Sequence, residues 1–552
     1  MKDKIGFYIL IVTIVLFFLL KLPFNLSVEC SSHNEGFYFV YGHYLFNGDL
    51  GMASRGPLFI FVYSMLLKIF GFSAFAVIAV HFIQTFISIL IGILIYLIST
   101  IILESSFYAA FASLLWFFLL ITPIGGWGGG LELDSIFALE AEYFCVLLSL
   151  LSIYCLIKSF QIPNEGKALA FCAGLLSGFS AMFKMSGIVL LIAYLLWTVL
   201  TKEKRKHLWF LFLGIVFSLL IYFVSIYTFF GNSALSLDSS LYGKSYSTKF
   251  IHSFTDFAIA IINFMFRYET SFSGFNNFIL TFIMFLGIMW SLKRSKNCNV
   301  LIGSFWILIA IWSLGNVGAV MAPGDYAAYY YLLLWPSLSI YFALATKYIF
   351  SFPSNPKFKI LKIATLIFLF LGCLQRIFVT FPNFLGKAEY KFYTNAFSQK
   401  QSFEDPVLPY DLKVHYRPTA LKLGDLLNSL LPDKSDTFYV VNFVERHYTF
   451  SSNLYVYAKR FPPTTVISDK LHYSSHLNQN IEKLKQDFEK TPPKVIVLPK
   501  TMHIRIVQMP YLKSFFEWLD VYAKQYYNLA SEINFPLADM TNETIEILIR
   551  KG

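Results

Sequence analysis

The sequence predicts a polytopic α-helical membrane protein of about eleven transmembrane helices, followed by a C-terminal mixed α/β domain outside the cytoplasm. Three observations carry that class. Of 552 residues, 57% are hydrophobic, 19% aromatic and only 14% charged, too little polar surface for a soluble protein of this size. The apolar residues fall into repeated runs of about 20, the length a helix needs to cross a bilayer core about 30 Å thick. Polarity then rises towards the C-terminus, so residues 1–384 are expected to form a membrane module and 385–552 a domain on its outer face.

In chain order, the run Ile5 to Leu22 lacks the small-residue cleavage site of a signal peptide and reads as a retained helix. Pro57 to Phe70 is too short to cross and is expected to lie along the outer face, partly embedded. Further crossings are expected over 75–98, 107–122, 135–157, 168–183, 186–200, 208–230, 274–291, 300–318, 328–346 and 360–380. Basic residues in short loops favour the cytoplasmic side. The clusters Lys2/Lys4, Lys158/Lys167, Lys202 to Lys206, Lys293/Arg294/Lys296 and Lys347/Lys357/Lys359 all fall inside with eleven crossings, provided Pro57 to Phe70 does not cross. That topology puts segments 23–74, 123–134 and 231–273 outside, together with the tail, and fits a multi-pass protein of the cell inner membrane. Within the tail, β-like runs stand at Thr437 to Val444, Leu454 to Ala458 and Lys494 to Leu498, and helical patterns near 419–430, 476–489 and 510–520.

Composition also excludes some functions. Lys plus Arg (44) exceed Asp plus Glu (33), but the excess is scattered between apolar runs and forms no nucleic-acid-binding motif. Cys30, Cys145, Cys155, Cys172, Cys298 and Cys373 stand singly without CxxC spacing, which argues against a zinc site or a disulfide scaffold. They read as small, mostly buried apolar side chains. No cofactor is expected, and a divalent metal stays open but without support, since no compact Asp/His cluster is present.

Chemistry is sought among ionisable residues at membrane depth, which are costly unless paired or lining a wet cavity. Glu35 stands at a helix start in the first outer loop, where it either complements the helix end or serves as a general base. His33 is an adjacent loop histidine that could join it. Arg55 precedes Gly56 and Pro57, and its paired donors suit either a donor phosphate or lipid head groups. The Gly-rich turn Ile124 to Asp134 would let backbone approach a ligand closely. Asp134, Glu140 and Glu142 then enter an apolar helix, as site carboxylates or as partners of a buried cation. Lys184 falls near the outer face, where it neutralises a lipid-carrier phosphate or snorkels to head groups. Tyr329, Tyr330 and Tyr331 belong to an interfacial belt from which one hydroxyl could reach a phosphate or sugar.

The order of these features resembles the membrane-embedded glycosyltransferases of the GT-C superfamily, in particular the bacterial branch related to protein mannosyltransferases and the aminoarabinose transferase of lipid A. Asn34 to Tyr38 resembles the opening of that family's first outer loop, and Arg55 to Leu58 the step into its second short outer helix. Glu142 and Tyr143 are similar to an acidic-aromatic pair at the fourth crossing, and Gly174 to Gly187 to a glycine-containing helix that ends near a lysine. Tyr329 to Tyr331 with Pro336 resembles a late His-Tyr and proline segment. The likeness spans about residues 5–380. Two departures matter: Asn34 stands where the family has a catalytic aspartate, and Tyr329 where a histidine is common.

The resemblance implies transfer of a sugar, with inversion, from a polyprenyl-phosphate donor to a hydroxyl of a glycan, lipid or protein acceptor at the outer face. Glu35, Asp134 and Glu142 are then the candidate bases, and Arg55, Lys184, Tyr329 and Tyr330 the candidate donor-phosphate residues. Two rivals stay open: a transporter or flippase for a lipid-linked glycan, and an inactive family member that binds glycan lipid.

Overall fold

The computed structural model describes residues 2–26, 33–45, 57–121, 139–162, 166–201, 205–230, 284–296, 300–321, 328–351, 417–441, 451–464, 466, 477–500, 512–536 and 542–551. The membrane module runs α1 (Lys2–Asn25), α2 (His33–Leu45), α3 (Pro57–Phe70), α4 (Ala74–Leu103), α5 (Ser106–Ile121), α6 (Ala141–Gln161) and α7 (Gly166–Phe183). A 3-10 turn, Met185–Gly187, leads to α8 (Ile188–Thr201) and α9 (Arg205–Phe230). After a helical stretch over 284–295 come α10 (Val300–Met321), a second 3-10 turn (Ala328–Leu333) and α11 (Trp335–Ser351).

Among the described residues, five helices are at least 18 residues long and apolar enough to cross a membrane: α4, α6, α7, the 207–225 part of α9, and α10. Of the other expected crossings, α1, α5 and α8 contain shorter apolar helices, and 360–380 lies outside the described residues. Val199, Phe223 and Val224 point outward, 73%, 61% and 56% exposed, as lipid-facing side chains must where no packed core covers them.

Between helices, small residues and polar crosslinks replace the hydrophobic drive that lipid cannot supply. On α7, a Cβ added at Gly174 would stand 1.9 Å from the Leu211 carbonyl oxygen of α9, and one at Gly178 would stand 1.6 Å from Ser218 Oγ. The two backbones meet along that glycine stripe. Trp116 Nε1–H donates to the Ser88 carbonyl at 2.9 Å, and Trp197 Nε1–H to the Ser304 carbonyl at 2.7 Å, so these two buried indoles are satisfied across helix pairs.

Two expected boundaries shift. The crossing placed at 135–157 begins at Ala141, so Glu140 precedes the helix and Glu142 sits in its first turn, not in a long apolar interior. The crossing placed at 328–346 breaks into the 3-10 turn and a helix from Trp335, because Pro336 is tolerated in a first helical turn, where its missing N–H leaves no bond unmade.

The C-terminal part contains α12 (Arg417–Leu430), β1 (Phe438–Val440), α13 (Ser451–Tyr457), α14 (Leu477–Lys490), β2 (Val495–Pro499), α15 (Lys513–Tyr526), β3 (Tyr527–Pro536) and β4 (Asn542–Arg550). Its sheet has the order β1-β2-β4-β3, with β1 and β2 parallel and the other pairs antiparallel. Period-two alternation gives it two apolar faces. Tyr439, Ile496 and Leu498 pack with Leu484 and Phe488 of α14 and Phe515 and Leu519 of α15. Phe438, Val440, Val495, Val497, Ile545 and Ile547 face the other way, into a core that continues through α12 and α13 to the membrane helices.

One expected strand is overturned. Leu454 to Ala458 is aliphatic and aromatic, yet Leu454 to Tyr457 lie in α13 with Ala458 just after it, and all five residues are buried. Tertiary contacts override β-propensity here, since the helix brings Asn453 to α2 and Tyr455 to β1. Lys459, with φ 53°, then ends the helix in a Schellman closure, Arg460 N–H to the Tyr455 carbonyl and Lys459 N–H to the Val456 carbonyl, both 3.1 Å. Of the cysteines, Cys145 is buried as expected, Cys155 half-buried and Cys172 exposed, and all three are reduced. Cys30, Cys298 and Cys373, and the boundary at 384/385, lie outside the described residues.

Candidate active site

Helix α2 carries Glu35 and Tyr38 three residues apart, hence on one helical face. Glu35 is fully buried, with Oε2 3.3 Å from Nε2 of the buried His81 on α4. Lys21, buried near the end of α1, lies within reach of the Glu35 charge. A carboxylate at such depth requires partners of this kind. Thr85 of α4 donates to Asn25 Oδ1 of α1 at 2.9 Å and ties the two helices beside it.

Tyr38 connects this group to the start of α6. Its hydroxyl donates to Glu140 Oε2 at 2.6 Å inside the protein, and Tyr63 of α3 donates to the adjacent Leu139 carbonyl at 3.1 Å. Glu142 follows, fully buried in the first turn of α6, where unpaired helix amides favour an anion. It forms an ion pair with Lys184. Tyr143 reaches the Gln84 and Ser88 side chains of α4, which fixes the first turn of α6 from the opposite direction.

Lys184 stands where α7 has ended and the 3-10 turn has not begun, in extended conformation (φ −160°, ψ 145°). This break lets the side chain leave the α7 axis and turn to α6. Its Nζ also lies 4.4 Å from the ring centroid of Tyr330, in the turn before α11, a cation–π distance. Lys184 is 24% exposed whereas Glu142 is 0% exposed, so the lysine is the accessible member of the pair.

The structure thus unites Glu142, Lys184 and Tyr330 in one constellation and places Glu35 beside His81 and Lys21, linked to α6 through Tyr38. Arg55 and Asp134 lie outside the described residues, as do the side chains of His33 and Tyr329. Sequence reading missed Lys21, Tyr38 and His81. The signal for His81 and Lys21 was an ionisable side chain at the core or edge of an apolar run. Tyr38 stood in the Asn34 to Tyr38 motif, but nothing local pointed to its partner 102 residues away. Among the described residues, no group of three or more His, Cys, Asp and Glu side chains is arranged to hold a metal ion.

The sequence matches no protein-family model and no curated protein. Solved structures do match. The chain is similar to ArnT from Cupriavidus metallidurans in the apo state, with a TM-score of 0.52 and 12% identity over 97% of each chain. ArnT from the same organism bound to undecaprenyl phosphate matches with the same TM-score, identity and coverage. The oligosaccharyltransferase of Archaeoglobus fulgidus, tethered with an acceptor peptide containing the NVT sequon, matches with a TM-score of 0.51 and 13% identity over 98% of this chain and 74% of its own. Both proteins are GT-C superfamily members, and the chain shares their fold, in agreement with the resemblance read from its motifs.

Proposed function

We propose that this chain is a membrane glycosyltransferase that moves a sugar from a polyprenyl-phosphate carrier to an acceptor hydroxyl at the outer face, with inversion at the anomeric carbon. The observation that carries this reading is Lys184, held by a fully buried Glu142 and an aromatic face while remaining partly open. Support also comes from the shared fold, since one structure with that fold holds undecaprenyl phosphate.

In this reaction the bond from the acceptor oxygen to the anomeric carbon forms as the bond from that carbon to the phosphate oxygen breaks. The donor is a phosphodiester with one negative charge, and the departing carrier is a phosphomonoester with close to two. Charge therefore grows on the phosphate during the step, and a fixed cation there stabilises the transition state more than the ground state. Lys184 supplies that cation. The acceptor proton passes to one of the buried carboxylates, Glu35 or Glu142. When Lys184 turns to the phosphate, Glu142 gives up its ion-pair contact and faces the acceptor, whereas Glu35 keeps His81 and Lys21 beside it.

The test is sugar transfer from defined polyprenyl-phosphate sugars by purified protein in lipid nanodiscs. Wild type is expected to form product. Lys184→Ala is expected to lower transfer about a hundredfold or more, the range for removing one charge-stabilising group. Comparison of Glu35→Gln with Glu142→Gln identifies the base as the carboxylate whose loss abolishes product while donor still binds. Wild type that transfers nothing from any donor, yet moves the carrier across a proteoliposome bilayer, would replace this reading with transport.

A further inference from the structure

We infer that the C-terminal domain positions the candidate active site through Asn453, which holds the first turn of α2; this rests on the glycosyl-transfer reading above. The first four N–H groups of any helix have no intrahelical acceptor. Gly36 is the fourth residue of α2 and the immediate neighbour of Glu35. Its N–H donates to Asn453 Oδ1 at 3.0 Å, a buried bond between residues 417 apart in sequence. Among the described residues, this helix end is capped by a side chain from the C-terminal domain.

The sequence accommodates that approach. A Cβ on residue 36 would stand 2.3 Å from Asn453 Oδ1, 2.5 Å from Asn453 N and 2.6 Å from the Ser452 carbonyl carbon, so only glycine lets α13 come this close. The last turn of α2 is gripped by the same segment. Tyr44 donates to the Pro462 carbonyl at 2.5 Å, and the His43 ring stacks on Phe461 at 3.5 Å between centroids and 13° between planes. Phe461 also lies 4.1 Å from the Phe72 ring between α3 and α4.

The gripping segment is itself fixed. Val440 N–H of β1 donates to Tyr455 Oη at 3.1 Å, and Arg460 donates to the Leu431 carbonyl at 2.6 Å and the Asp433 carbonyl at 3.2 Å. A rigid path therefore runs from the sheet through α13 to both ends of α2. Rotation or sliding of α2 would move Glu35 relative to His81 and Tyr38 relative to Glu140 together. Asn453 is accordingly a positioning residue: it sets where the reacting groups stand and touches none of the reacting atoms.

The experiment compares full-length wild type, Asn453→Ala and Asn453→Asp in nanodiscs by two readouts. The first is hydrogen exchange at the α2 amides. The second is transfer from a polyprenyl-phosphate sugar, with kcat and donor KM measured separately and normalised to undecaprenyl phosphate bound. Asp keeps an acceptor oxygen at the same reach, and a negative charge at a helix N-terminus is favourable. Asn453→Ala is expected to raise α2 exchange and lower kcat ten- to a hundredfold, on the order that a misplacement of about 1 Å costs, with donor KM unchanged. Asn453→Asp is expected to restore both. Unchanged α2 exchange in Asn453→Ala overturns the clamp. Faster exchange with undiminished kcat overturns the positioning role. If wild type transfers no sugar, the functional reading fails and the catalytic part of this inference with it, while hydrogen exchange still decides the clamp.

Discussion

At the scale of single residues, the Glu142–Lys184 pair sets a stability constraint alongside its proposed chemistry. Removing one member of a buried ion pair leaves the other charge without compensation, at a cost of about 3–5 kcal/mol, whereas replacing both is far milder. Lys184→Met is therefore expected to lower the thermal midpoint in nanodiscs markedly, and Lys184→Met with Glu142→Gln to recover most of the loss. Equal loss in the single and double variants would show that Glu142 draws little from Lys184. The sequence exposed these two residues, and Glu35, because an ionisable side chain among apolar ones is conspicuous. Their partners were not visible in the same way. Glu35 and His81 are 46 residues apart and Tyr38 and Glu140 are 102 apart, and no local pattern pairs positions on different helices. Arg55 and Asp134, equally conspicuous in sequence, fall outside the described residues.

The same contrast governs the elements. Apolar run length found α1, α4, α5 and α7 to α10 close to their observed bounds, because a long apolar run between polar or turn-forming residues marks where a helix starts and stops. It misjudged the starts of α6 and α11, where apolar residues such as Leu139 and Tyr331 belong to the approach and not to the helix. The β3-β4 hairpin was not anticipated. Its bulge between Leu529 and Ser531 breaks the alternation of β3, while Ile545, Ile547 and Ile549 of β4 keep theirs. Close packing is the element-scale property most open to test. Gly174→Ala is expected to force α7 and α9 apart and reduce the yield of folded protein, since the added methyl meets the Leu211 carbonyl. Gly318→Ala in α10 meets nothing within 4 Å and should be neutral or stabilising by about 0.5–1 kcal/mol. Comparable folded yields and melting midpoints for the two variants would refute close contact along the α7 stripe.

At the scale of the whole molecule, the membrane helices and one face of the C-terminal sheet share a single apolar core, and α2 lies between them. That junction carries an acid-sensitive group. Burial pulls the His43 pKa from its ordinary 6.5 down to about 4, so the ring that stacks on Phe461 is neutral near pH 7. Between those two values the unfolded chain binds a proton at His43 that the folded chain does not, and stability therefore rises with pH across the window and falls as pH drops through it. The docked state should weaken progressively from about pH 6.5 towards pH 4, the loss being complete below the lower value. Asp433 adds its own acid sensitivity, because the Ser435 backbone amide, first among its partners, holds that carboxylate below its ordinary range. A variant that keeps an aromatic ring at position 43 without a titrating nitrogen separates the two. His43→Phe retains Asp433, so the difference between wild type and variant isolates His43. Thermal midpoints measured from pH 7.5 to pH 4 should fall more steeply in wild type than in His43→Phe. Parallel slopes would mean that the ring stacks without resisting protonation, and that acid acts on the domain junction through other groups.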